Sequence, residues 1–306
     1  MPEPTVTVVI PCFNHGRFLR EAVESALRQR GGDVRVVIVN DGSTDAETPA
    51  ACRALESDRV RVIDQANRGL PAARNAGAAG ARSEYLVFLD ADDWIEPEFV
   101  ARLHDALAGA GPGVSHAYCQ ERLVERGTGI WKVPEWDPVL MMITNLHPVT
   151  ALVRRSCFEA AGGFDETMRD GYEDWELWLR FVERGWRGAR VREPLFVWRR
   201  HSPETMVMRV VKNHEALYRG LIERHRELYA RHRTELLVRS DTMLTQFDMN
   251  WLDEDLRPIN LAALKRHRQM YESMLAVRAQ RAVERVFKRL RRSPAPASIP
   301  KPQAAT

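Results

Sequence analysis

The chain has 306 residues, 44% hydrophobic and 28% charged, enough to bury a full core in one large domain or two small ones and too apolar for wholesale disorder. A net charge of +3 places no demand on bulk electrostatics for a nucleic-acid partner. The four cysteines, Cys12, Cys52, Cys119 and Cys157, stand singly without a CxxC pair, which excludes a disulfide framework or a structural zinc and fits a reducing compartment.

Thr5–Ile10 is β-branched throughout and stops at Pro11, a residue that cannot extend a central ladder. Cys12 to Gly16 is loop chemistry. The stretch Arg17–Arg30 then carries Phe18, Leu19, Ala22, Val23, Ala26 and Leu27 at helical spacing before Gly31-Gly32 ends it. Val34–Val39 reads as the second strand, followed by Asn40-Asp41-Gly-Ser-Thr-Asp45 and a helix near 46–57. A strand at Val60–Ile63, a loop over 64–69 and a helix from about Pro71 to Arg82 come next; small residues let that helix pack closely on a sheet. Tyr85-Leu-Val-Phe-Leu89 is a short apolar run, the mark of a strand buried on both faces, and it runs straight into Asp90, Asp92 and Asp93.

Strands alternating with helices in this way predict an α/β fold with a doubly wound, mostly parallel sheet. The loops after the strands, 11–16, 40–45, 64–70 and 90–94, then share one edge, where open α/β sheets bind ligands. Three carboxylates this close repel one another unless a cation joins them, and an oxygen cluster suits Mg²⁺ or Mn²⁺. A solvated acidic turn capping a helix near 95–109 is the competing reading.

After a Gly/Pro linker at 109–113 the pattern changes to strand-like pieces at Val114–Tyr118, Leu123–Glu125 and Ile130–Val133. Helix is expected at Asp137–Asn145, strand over 146–153, and a short helix at Cys157–Gly163. Glu173-Asp174-Trp175 opens a helix whose apolar face is Leu177, Trp178, Phe181 and Val182, and strands near 187–192 and 195–200 lead to His201. From about 204 the chain is helical and charged, divided by Pro258. Arg278–Arg292 holds seven basic residues against Glu284, with Ala279, Ala282, Val283, Val286 and Leu290 on one face. Ser293–Thr306 is Pro/Ala-rich and expected to be disordered.

Four segments occur in order: Val8-Val-Ile-Pro11-Cys-Phe-Asn14, Asn40-Asp41-Gly-Ser-Thr-Asp45, Asn67-Arg-Gly69-Leu-Pro-Ala-Ala-Arg74-Asn75-Ala-Gly77 and Phe88-Leu-Asp90-Ala-Asp92-Asp93. Gly162-Gly-Phe-Asp165-Glu, Glu173-Asp174-Trp-Glu-Leu-Trp-Leu-Arg180 and Trp198-Arg-Arg-His201-Ser follow them. Together, over about residues 5–202, they resemble the successive signatures of family 2 glycosyltransferases of the GT-A fold. The resemblance implies a GT-A domain over 1–203, with a nucleotide-binding half (1–110) and an acceptor half (111–203); the helical region over 204–292 and the 293–306 tail depart from anything the family fixes and rest on the sequence pattern alone. It also implies an inverting, hexosyltransferase-like transfer from a nucleotide-diphosphate sugar, UDP foremost, to a hydroxyl on a glycan or lipid-linked glycan. Mn²⁺ or Mg²⁺ would assist, in cell-surface glycan or polysaccharide synthesis. The chemistry is coherent: a diphosphate leaves well only if its charge is neutralised, and inversion by direct displacement needs one base on the acceptor hydroxyl.

The resemblance also assigns roles. Pro11 and Asn14 would line the nucleoside pocket and Asp41 would bind base or ribose, an Asx-turn being the alternative for Asp41. Asp45 fits a helix N-cap. Arg74 would meet diphosphate or sugar oxygens, or else form a surface salt bridge. Asp90 would accept from the ribose, Asp92 would hold the metal, and Asp93 would support it or orient the sugar. Asp174 is the expected base, with Glu173 beside it as runner-up, and an ordinary carboxyl pKa of ~3.9 would have to be raised for that task. His201 would close the metal site, its alternative being a structural histidine. Trp175, Trp178 and Trp198 are core by default, though an aromatic ring near the base could stack on an acceptor sugar.

The basic 278–292 helix fits a solvated face, a homodimer contact or an in-plane membrane helix. No apolar run reaches the ~20 residues of a membrane span. Met1-Pro-Glu-Pro does not resemble a signal peptide, so the expected place is the cytoplasm, with peripheral contact at the inner face of the plasma membrane. A Rossmann oxidoreductase would need G-x-G-x-x-G where the chain has Pro-Cys-Phe-Asn-His-Gly, and a sugar nucleotidyltransferase would want a Gly-rich, basic first loop. A non-catalytic nucleotide-sugar-binding module would be expected to lack Asp92 or Asp174, and both are present.

Overall fold

The computed structural model describes residues 3–111, 113–126, 128–201 and 206–250. β1 (Thr5–Cys12), α1 (Gly16–Leu27), β2 (Asp33–Asp41), α2 (Glu47–Ala54), β3 (Val60–Gln65), α3 (Leu70–Ala78) and β4 (Tyr85–Phe88) alternate as the periodicity predicts. β1 pairs in parallel with both β2 and β4, and β2 with β3. Val6, Val8 and Ile10 of β1 enter a core shared with Leu19, Ala22, Val23 and Ala26 of α1, while Val9 meets α3 on the other face. The sheet is therefore covered on both sides, which is why its strands read as unbroken apolar runs. At Gly77 an added Cβ would collide with Val9, so α3 needs glycine to approach β1. Pro11 is tolerated inside β1 because β4 has stopped pairing by then, the last matched residues being Val9 and Phe88.

The second half extends the sheet. A short β5 (Trp94–Ile95) precedes α4 (Phe99–Gly109), so the expected 95–109 helix starts later than its acidic residues suggest. β6 (Val114–Glu125) is one strand where two pieces were expected, and β7 (Gly129–Trp131) hairpins onto it. α5 (Pro138–Ile143), β8 (Leu152–Arg154), α6 (Arg155–Ala161), α7 (Glu173–Glu183) and β9 (Arg187–Arg200) follow. Most of the strand expected over 146–153 is irregular. Pro148 cannot donate to a ladder, and His147 turns inward to meet the Pro148 carbonyl and His116. β9 is continuous where a break was expected, and it absorbs Arg192–Pro194 as register shifts against β6. Among the described residues the sheet has nine strands in the order β3-β2-β1-β4-β8-β6-β9-β5, with β7 on β6. β8 runs antiparallel between β4 and β6, whereas β6 and β9 are parallel.

Contacts divide the chain into Met1–Arg239 and Ser240–Thr306. The first unit takes in α8 (Met206–Arg224), α9 (Arg226–Arg231) and the start of α10 (Arg233–Asn250). Tyr218 and Tyr229 both donate to the Met142 carbonyl, at 2.7 and 2.8 Å, tying α8 and α9 to α5. Among the described residues no helix is long and apolar enough to cross a membrane. The Pro258 division, the basic Arg278–Arg292 segment and the 293–306 tail lie outside the described residues.

Candidate active site

β4 delivers its chain end to the edge shared with β1 and β2. Leu89 N–H still donates to the Val9 carbonyl, and Asp93 N–H donates to the Asp90 carbonyl at 3.1 Å, so 90–93 forms a tight turn. The turn sends its three carboxylates to different places. Asp90 is 40% exposed, with one oxygen taken by Arg74. Asp92 accepts from His201 Nε2 at 2.8 Å and lies 3.8 Å from His15 Nδ1. One ligand atom from each of His15, Asp92 and His201 falls within 4.8 Å of the others, a set that could hold a metal ion. Asp93 is buried and accepts from Arg199 N–H at 2.8 Å. Burial, and then the charges of Asp92 and Asp90, raise its pKa well above the carboxylate range.

His201 is placed by the end of β9. Arg199 Nε donates to the Asp92 carbonyl at 2.9 Å, and its guanidinium also pairs with Glu125 and Glu21, clamping the strand end to the acidic turn. The His201 ring then packs on Phe18 at 4.6 Å. His15, from the loop before α1, is a site residue that the sequence reading missed. A single histidine in a loop carries no mark of its partners, and only its place in an edge loop pointed here.

Arg74 joins the acidic turn to α7. It is 2% exposed, donates through Nη1 to Glu173 at 2.6 Å and through Nη2 to Asp90 at 2.8 Å, and leaves its buried Nε without a partner. Burial lowers its pKa, but Asp90 and Glu173 outweigh that and the net shift is upward, so the guanidinium stays charged. Next along α7, Asp174 accepts from Trp175 N–H at 2.7 Å and from Asn145 Nδ2 at 3.0 Å. Burial first, then the Glu173 charge, raises its pKa to about 7, with Arg74 pulling the other way. The acidic turn and the start of α7, distant in sequence, thus share one cluster. Trp175 and Trp178 are core: Trp175 donates to the Met141 carbonyl and Trp178 is fully buried.

The other predicted residues hold loops together. Pro11 is buried in β1. Asn14, at φ 58°, accepts from Thr44 and Asp45 N–H at 2.8 and 3.2 Å and donates to Thr44 Oγ1, locking the loop after β1 to the loop after β2. Asp41 is buried and accepts from Gln65 Nε2, Arg68 N–H and Gly69 N–H at 2.7 to 2.9 Å, fixing the loop that leads into α3. Asp45 accepts from Thr48 N–H at 2.6 Å, a bond that lowers its pKa and satisfies an orphan donor at the start of α2.

A family model, "Glycosyl transferase family 2", matches residues 7–159, half of the chain. The putative glycosyltransferase EpsH of Bacillus subtilis (strain 168) is 38% identical over 104 residues, 34% of this chain and 30% of that protein. The succinoglycan biosynthesis protein ExoO of Rhizobium meliloti (strain 1021) is 41% identical over 113 residues, 37% of this chain and 32% of that protein. The chain thus spans about a third of the length of these curated relatives. Among solved structures, S. aureus TarS (residues 1–349) in complex with UDP-GlcNAc superposes with TM-score 0.57 at 19% identity, over 66% of this chain and 60% of that one. The mannosyltransferase PcManGT from Pyrobaculum calidifontis, in complex with GDP-Man and Mn²⁺, gives TM-score 0.54 at 21% identity, over 72% and 65%. These likenesses show the shared fold.

Proposed function

The chain belongs to glycosyl transferase family 2, and we propose that it moves a sugar from a nucleotide-diphosphate sugar, UDP foremost, to a hydroxyl of a glycan or lipid-linked glycan, with inversion. The observation that carries this reading is the Asp90–Arg74–Glu173 bridge, which fastens the metal-capable turn to the helix start bearing Asp174. The TarS complexes with UDP and UDP-GlcNAc support the choice of nucleotide, and the name of the succinoglycan biosynthesis protein ExoO supports a role in polysaccharide synthesis. The reaction belongs on the cytoplasmic side, where the basic Arg278–Arg292 segment would attract an anionic membrane surface.

Asp174 takes the proton of the acceptor hydroxyl. The acceptor oxygen bonds to the anomeric carbon from the face opposite the nucleotide, the bond to the diphosphate breaks, and the nucleoside diphosphate leaves with that electron pair. Glu173 is buried and ion-paired with Arg74, whereas Asp174 is held by hydrogen bonds from Trp175 N–H and Asn145 Nδ2, which leaves Asp174 as the carboxylate to act. With a pKa raised to about 7, it is a far better base than an ordinary aspartate while still ionised in part of the population at neutral pH. Two imidazoles and one carboxylate fit Mn²⁺ better than Mg²⁺, which favours oxygen ligands. Asp92, His201 and His15 would hold the ion, whose charge would neutralise the departing diphosphate. Asp90, with one oxygen free of Arg74, faces the donor as a hydroxyl acceptor.

A screen of UDP-, GDP- and dTDP-sugars with Mn²⁺ tests this. At least one should bind and be slowly hydrolysed without acceptor; neither binding nor turnover across the set would refute the transferase reading.

A further inference from the structure

Glu121 in β6 has no place in the reaction derived so far. It is 5% exposed, and among the described residues no hydrogen bond or ion pair reaches its carboxyl, whose oxygens are not sealed from solvent and so lie open to a ligand. Burying such a group without a partner is costly, and a chain that retains one gains if a ligand completes it. Its surroundings are those of the candidate site: Glu121 stands across from Phe196 of β9, and Phe196 across from Ile95 of β5, two residues beyond Asp93. Directly across the β6–β7 pair from Glu121 stands Trp131, which is 51% exposed. Residues facing each other across an antiparallel pair project to the same side of the sheet. The Trp131 ring lies 6.0 Å from that of half-buried Trp198, and the Arg200 guanidinium sits over the Trp198 face at 5.6 Å. An exposed indole beside a buried, unpartnered carboxyl combines the two chemistries of a sugar ring, a C–H face and hydroxyls.

We propose that Glu121 and Trp131 form the acceptor subsite, with the indole of Trp131 stacked on a pyranose ring and the Glu121 carboxyl bonded to one of its hydroxyls beside Asp174. The acceptor is thereby a sugar, not an amino-acid side chain or a lipid hydroxyl, and the inference rests on the transferase reading above. Burial, followed by the Asp174 charge, pushes the Glu121 pKa up to about 8, so at neutral pH the carboxyl mostly keeps its proton. It can then donate to a sugar oxygen and accept from a hydroxyl at once. Such a residue orients the acceptor, and Asp174 remains the proton acceptor.

The test uses the full-length chain loaded with UDP and Mn²⁺. Its probes are the methyl glycosides of glucose, galactose, mannose and N-acetylglucosamine, read by saturation-transfer NMR. The wild type should bind at least one of them. Trp131→Ala and Glu121→Leu should each weaken that binding by about tenfold, the conservative Trp131→Phe and Glu121→Gln should retain most of it, and UDP affinity should stay within about twofold throughout. The inference is overturned if the UDP-loaded wild type binds none of the glycosides, if Trp131→Ala and Glu121→Leu both bind as well as wild type, or if UDP affinity falls in step with glycoside affinity. UDP that fails to bind the wild type removes the transferase reading and this one with it, whereas UDP binding with unaltered glycoside binding in the variants removes this one alone.

Discussion

Arg74 holds Glu173 with one guanidinium nitrogen and Asp90 with the other from an almost wholly buried position. Removing the cation would leave two carboxylates facing each other with no charge between them. Arg74→Met is expected to destabilise the fold by about 3–5 kcal/mol, the cost of stranding one side of a buried ion pair. Urea unfolding measures it, and a loss under about 1 kcal/mol would show that the bridge is solvated and structurally idle. At this scale the sequence was legible where chemistry is consecutive. Asp90, Asp92 and Asp93 announce themselves because an apolar run ends in carboxylates, and Asp174 because it opens a helix. Arg74 was expected at the phosphates; its guanidinium lies buried between Asp90 and Glu173, partners that its sequence neighbours do not reveal. His15 and Glu121 were illegible because each is a single polar residue whose partners lie far along the chain.

The elements are joined by a second buried polar contact. His116 of β6 and His147, in the irregular stretch before β8, meet Nε2 to Nε2 at 3.0 Å beneath Trp178 of α7. Such a contact needs one ring to donate and the other to accept, so the two rings cannot both be protonated, and their burial favours the neutral form of each. Burial lowers both pKa values, that of His147 to about 3. In the unfolded chain both take up protons near the ordinary ~6.5, so the stability they lend is present above that pH and is lost as pH falls below it, down towards 3 for His147. Asp174 and Glu121, whose pKa values are raised, act oppositely, lending more stability as pH falls through about 7 and about 8 respectively. Comparison with a variant therefore isolates the histidines. Relative to His116→Phe/His147→Phe, the wild type should lose up to about 1.4 kcal/mol per pH unit for each histidine below pH ~6.5. Parallel stability curves from pH 7.5 to 5 would contradict it. The same contact explains why 146–153 misled as a strand: its apolar spacing reflects burial around His147 and not a ladder. The β-α alternation of the first half was legible because its central strands, β1 and β4, are apolar on both faces.

For the molecule as a whole, the order of motifs along the chain carried the fold. The sheet places the ends of β1, β2 and β4 together, and α7 reaches the same edge from the second half. Less legible was the closure of α8 and α9 on α5 and α7. Their charged sequence reads as a separate extension, yet Tyr218, Leu221, His225 and Leu228 are buried, and His225 pairs with Glu183 at 2.8 Å. The central claim is that one half of this site holds the donor while Asp174, from the other half, takes the acceptor proton. The measurement that tests it most directly is Asp174→Asn, assayed for both turnover and affinity with the nucleotide sugar that the donor screen identifies. The account predicts turnover reduced by about 10²–10⁴-fold with donor affinity unchanged within about twofold. Equal loss of both, or turnover that survives the substitution, would contradict it.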